Sequence, residues 1–126
     1  MQQLKIDKDM STKLLKKTSV EASERNIGNY TLLHEDNKTR ITHWVIKPNQ
    51  QTGWHIHEFD YVTIQQSYGK LYLEHADGTE RTLNYEPGVT RSVSAPIEHN
   101  AINIGDVDII VLEIEYKTSN ESMELN

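Results

Sequence analysis

The sequence predicts an all-β domain, a sandwich or barrel, preceded by a polar N-terminal arm. Three observations lead there. From about residue 28 to residue 117, runs of five to eight residues are rich in β-branched and apolar side chains. Glycine, proline, asparagine and aspartate break these runs every eight to twelve positions. The runs follow one another directly, without the intervening long helical periods that βαβ units require.

Taken in order, residues 1–27 differ from the rest. They are rich in Lys, Ser and Glu, with apolar residues scattered at Leu4, Ile6, Met10, Leu14, Leu15, Val20 and Ile27, which fits an extended arm or one short helix. "TRITHWVIKP" then alternates polar and apolar residues and stops at Pro48, as a strand does. "YVTIQQ" and "KLYLEHA" flank "SYG", which predicts a hairpin. Asp77-Gly78 starts the next turn, "EPG" at 86–88 another, and "VTRSVSA" between them and the following turn reads as extended. "NAINI" and "VDIIVLEIEY" close the series around Gly105-Asp106. The expected body is 28–117, and residues 118–126 form a polar tail.

Composition narrows the function. Lys and Arg number 13 against 19 Asp and Glu, a net charge of −6, which argues against a nucleic-acid partner. The one basic cluster, "KLLKK" at 13–17, reads as solvated surface. The longest apolar run lies within "IIVLEI" and falls far short of the ~20 residues a membrane span needs. "MQQLKIDKDM" lacks the apolar centre of a signal peptide, so a cytoplasmic location is expected. With no cysteine, disulfides, thiolate ligands and a Cys nucleophile are excluded. Phosphate-loop, dinucleotide-binding and nucleophile-elbow motifs are absent.

Six histidines are present. His34 lies in the polar "HEDN" turn, His43 and His75 sit in strands with no second ligand near them in sequence, and all three read as structural. His55 and His57 lie two apart in "TGWHIHEFDYV", so on a strand both rings point to one face.

"NQQTGWHIHEFDYVTIQQSYG", residues 49–69, resembles the first motif of the cupin superfamily: glycine, five residues, His-x-His, three or four residues, Glu, six residues, glycine. "GVTRSVSAPIEHNAIN", residues 88–103, resembles the second: glycine, five residues, Pro-x-Gly, two residues, His, three residues, Asn. His99 falls on the histidine and Asn103 on the asparagine, the latter expected to fix the loop holding His99. "TGWHIHEFDYV" is also similar to small single-domain bacterial cupins. The resemblance implies a double-stranded β-helix, a jelly-roll barrel with a site at its mouth. It also implies one divalent transition metal on His55, His57 and His99, with iron placed first and zinc, nickel or manganese as alternatives. The resemblance does not imply a reaction, because this fold hosts many.

The departures bear on chemistry. Asn49 stands at a glycine position and can adopt the left-handed conformation required there. Ser94 and Pro96 replace the Pro and Gly before the third histidine. The glutamate position falls on Tyr61 or Val62, neither a carboxylate, which leaves Asp60 as the nearby acid that could substitute. Three imidazoles without a carboxylate suit Fe, Zn, Cu or Ni and leave coordination positions open. Strand parity places either Tyr61, Thr63 and Gln65 or Asp60, Val62 and Ile64 in the interior. Asp60 or Tyr61 is expected within reach of the metal, Tyr61 as a hydrogen-bond donor to substrate or else as barrel filling. Arg91 can clamp a substrate carboxylate or face solvent beside an acid. The expected function is a small-molecule metalloenzyme, an oxygenase foremost, acting on a small polar metabolite as a homodimer. A non-catalytic sensor or carrier, or an isomerase or lyase, are the alternatives.

Overall fold

The structure is a computed structural model and describes residues 25–117. Most of the arm expected at 1–27, and the tail at 118–126, lie outside the described residues. Nine strands follow in order: β1 (Asn29–Glu35), β2 (Thr39–Ile46), β3 (His55–His57), β4 (Tyr61–Gln65), β5 (Gly69–His75), β6 (Glu80–Tyr85), β7 (Thr90–Val93), β8 (Ile97–Asn103) and β9 (Ile109–Tyr116). They form a five-stranded sheet, β1-β2-β9-β4-β7, and a four-stranded sheet, β3-β8-β5-β6. Every pairing between these nine strands is antiparallel. The all-β jelly roll expected from the sequence is present.

Consecutive strands pair with each other at only two places, β1–β2 and β5–β6. The Asp77-Gly78 turn makes the second of these hairpins, with Gly78 at φ 93° and Thr79 N–H donating to Asp77 Oδ1 at 2.9 Å. Elsewhere the chain crosses between sheets. The hairpin expected from "YVTIQQSYGKLYLEHA" is therefore corrected: β4 pairs with β7 and β9, and β5 with β6 and β8. The physical reason is apolar parity. Leu71 and Leu73 on β5 bury against the opposite sheet's core, together with Trp44, Ile46, Tyr85, Ala101, Ile109 and Val111. A hairpin would have left both strands' inner faces on one sheet with nothing to cover them. Gly69 permits the crossover, since a Cβ there would sit 2.5 Å from Ile109 Cδ1, at a φ of 139°.

Inward and outward residues alternate along β2 and β4, so Thr42, Trp44 and Ile46, and Tyr61, Thr63 and Gln65, are buried. The first of the two parities considered for β4 is the one present. Asn49 takes φ 69°, as the glycine position requires.

Asn103, 1% exposed, does not hold a loop before His99, because His99 lies within β8 itself. Its amide donates to the carbonyls of Ile46 at 2.7 Å and Val107 at 2.8 Å, and its Oδ1 accepts from Gly105 N–H at 2.9 Å. Asn103 thus ties the β8–β9 turn to the end of β2. Asn103→Ala leaves two carbonyls and an N–H without their partner, the Ile46 carbonyl in a buried position. We expect it to cost about 3 kcal/mol, read as a lower urea midpoint with an unchanged slope.

Candidate metal centre

The two sheets bring two different polar faces together at one end of the barrel. On the four-stranded sheet, His55 on β3 lies directly opposite His99 on β8, and His99 lies opposite His75 on β5. His57, two residues on from His55, shares its face. The ligand nitrogens of His55, His57 and His99 all lie within 4.8 Å of one another. Among the described residues these three make the one group able to hold a metal ion. His75 packs near His99, with ring centroids 5.6 Å apart, but stands outside that group. His34 instead bonds Asp36 Oδ2 at 3.0 Å on the surface.

The hydrogen bonds fix the tautomers. His55 Nδ1 lies 2.8 Å from the Gly53 carbonyl, which can only accept, so Nδ1 carries the proton. His57 Nδ1 lies 3.0 Å from Glu115 Oε2 and donates to that carboxylate. In the neutral rings both Nε2 atoms therefore present bare lone pairs, and they face each other at 3.0 Å. Two lone pairs at that distance repel unless a cation lies between them. The buried Nδ1 of His99 has no hydrogen-bond partner either. An ion bound by imidazoles at about 2.0–2.1 Å needs nitrogens roughly 3–3.5 Å apart, which the His55–His57 spacing already meets. The group is compatible with one divalent ion.

Burial, reinforced by the neighbouring imidazoles, pushes the His55 pKa down to about 4 and the His99 pKa down to about 2. Both rings are neutral at pH 7 and available as ligands. Below the ordinary value of 6.5 the unfolded chain takes up protons that the folded site refuses. Stability of the metal-free protein is thus fully present above pH 6.5 and falls as pH drops toward 4, by something on the order of 3 kcal/mol for each of the two rings. Urea titrations of chelator-treated protein across that range check this.

The five-stranded sheet answers with two polar rungs. One runs Arg40–Glu115–Tyr61–Val93 across β2, β9, β4 and β7, and the next runs Thr42–Glu113–Thr63–Arg91. Tyr61 is buried and stacks on His57, centroids 4.1 Å apart at 27°. Burial foremost holds its hydroxyl above the ordinary phenol range, so it stays protonated. Burial also raises the Glu113 pKa, with a hydrogen bond from the Trp44 side chain working the other way. Arg91 lines the barrel interior with Tyr61, Thr63, Tyr85 and His99, not solvent.

Asp60 is not part of the histidine group. Its Oδ1 accepts from Ala95 N–H at 2.8 Å and so ties down the turn that leads into β8. The carboxylate that reaches the histidines is Glu115, which sits directly opposite Tyr61, a position where the motif counts for a glutamate. The missing acid is supplied from the neighbouring strand, against a ring nitrogen facing away from the three-histidine centre. Sequence reasoning missed Glu115 and Glu113. The available signal was "LEIEY": two acids at period two, continuing the inward parity of Ile109 and Val111.

Arg40 extends the network, donating to Glu35 Oε1 and to the Tyr30 hydroxyl, each at 2.9 Å, with its Nε 3.9 Å from Glu115 Oε1. Lys117 Nζ bonds Glu35 Oε2 at 2.8 Å. A cleft of about 630 Å³ opens over His55 and His57. Behind the histidines, the barrel interior holds a void of only about 40 Å³.

This fold, with histidines from both motifs meeting at the barrel mouth, defines a cupin. Comparison with known proteins agrees. The chain is 34% identical over 77 residues to the β-alanine degradation protein BauB of Pseudomonas aeruginosa, covering 61% of this chain and 80% of that one. A cupin domain from Bordetella pertussis matches with a TM-score of 0.71 and 33% identity, over 75% of this chain and 98% of that one. A conserved protein with a double-stranded β-helix domain from Klebsiella pneumoniae shares the fold at a TM-score of 0.62 and 18% identity, over 76% of this chain and 86% of its own. No family model matches. The chain belongs to the cupin superfamily. Among the described residues no helix is long and apolar enough to cross a membrane.

Proposed function

We propose that this protein is a metal-dependent enzyme acting on a small molecule, with His55, His57 and His99 holding one divalent ion, iron foremost, and with oxygenase chemistry. One observation carries the reading: two imidazole nitrogens held 3.0 Å apart, both of which present lone pairs when the rings are neutral. Iron bound there would supply the redox chemistry and open coordination that oxygenation needs. The protein's own contribution is positional. Glu115 and the Gly53 carbonyl aim the two rings. Tyr61, kept protonated beside His57, can donate a hydrogen bond to an oxygen of the substrate. Arg91, on the interior wall, can receive a carboxylate oxygen.

The similarity to a protein named for β-alanine degradation supports a catabolic small-molecule role without naming a substrate. Oxygen uptake by the iron-loaded protein across thiols, diketones and phenols tests the reading. Uptake with one class supports it. A metal-loaded protein inert to the whole panel points instead to a binding module.

A further inference from the structure

The space around the histidines limits what can reach them. The interior void, about 40 Å³, is far smaller than the roughly 300–1,000 Å³ of a ligand pocket. Anything larger must lie in the outer cleft of about 630 Å³. Charged residues line that cleft, but so does a group of large apolar ones. Its lip gathers Ile27, Tyr30, Ile56 and Phe59, exposed by 54%, 44%, 37% and 37%, over the buried Trp44. Large side chains left exposed in one contiguous place mark a binding surface.

Charge narrows the choice further. Arg40 and Lys117 are the cations of the cleft, and both are engaged by Glu35. Glu58, Glu113 and Glu115 line it as well, so a second anionic group on the ligand would be repelled.

Resting on the metal-centre reading above, we infer that the substrate is amphipathic: one metal-chelating oxygen head at the histidines, and an uncharged apolar or aromatic body lying on the Ile27–Tyr30–Ile56–Phe59 lip. The inference replaces the compact polar metabolite with a longer molecule whose body stays outside the barrel.

Alkyl hydroxamates test this, because their head is constant and their tail is variable. Acetohydroxamate and hexanohydroxamate are titrated into zinc-loaded wild-type protein by calorimetry. Each buried methylene is worth up to about fourfold in affinity, so partial burial of four should favour the longer compound by at least about tenfold. The same ratio, taken within each variant, should fall toward one in Phe59→Ser and in Ile27→Ser. A six-carbon hydroxamate ending in a carboxylate should lose the advantage in the wild type. Equal affinity for the two alkyl compounds in the wild type overturns the inference alone. Binding of neither overturns the metal-centre reading and the inference with it. A tail-independent ratio, together with a dimer that Phe59→Ser dissociates, assigns the lip to a second copy of the chain and also overturns the inference.

Discussion

His99→Ala protein is expected to lose at least a hundredfold in affinity for a divalent metal while keeping its fold. Structural four-ligand zinc sites are worth about 10–16 kcal/mol, so one ligand of such a set accounts for roughly 3 kcal/mol. A centre of three histidines has no spare donor to absorb the loss, since Asp60 is occupied by Ala95 N–H and Glu115 by His57. The fold should tolerate the change because the β8 backbone is paired on both sides, to β3 and to β5. The buried His99 Nδ1 also has no hydrogen-bond partner to strand. Competition with a chromogenic chelator measures the affinity, and circular dichroism checks the fold. An unchanged affinity would mean that the metal, if any, sits elsewhere.

The second large effect falls on a residue that touches no metal in this account. Glu115→Ala should weaken metal binding by about 10–100-fold, the usual cost of losing the partner that orients a ligating imidazole. Without the carboxylate, His57 Nδ1 loses its acceptor and the ring is free to take the other tautomer or rotate off Tyr61. Glu115→Gln separates this from simple loss of charge. Its amide oxygen can still accept from Nδ1–H, so most of the affinity should return. If the Gln and Ala variants are equally weak, Glu115 acts through its charge and the tautomer argument is wrong.

How much of this was legible in the sequence depends on the range over which each feature is specified. The turn at Asp77-Gly78 was readable because two neighbouring residues fix a hairpin, and the spacing of His55 and His57 because a strand's period is two. His99 was reached through its motif rather than through geometry. The failed hairpin at "SYG" has the opposite origin: whether strands adjacent in sequence pair or cross to the opposite sheet is decided by which apolar faces must be covered, a property of the whole barrel. Asp60 is the acid the sequence points to, because it lies near His57 along the chain. Glu115 is its real neighbour, 58 residues further on, and only the β4–β9 register brings it opposite Tyr61. Tyr30 and the rest of β1 were likewise invisible, since "NYTLLHE" has no inward face and is exposed at every position. Its contribution to the cleft follows from lying beside β2, where Tyr30 meets Trp44 at 4.7 Å.

The most direct test is the metal content of the protein itself. Wild-type protein purified without chelator, then titrated with Fe(II) and with zinc, should bind one equivalent per chain. Anomalous scattering should place that ion between the nitrogens of His55, His57 and His99. A folded protein that takes up neither metal, or that carries its ion away from these three rings, would contradict the account.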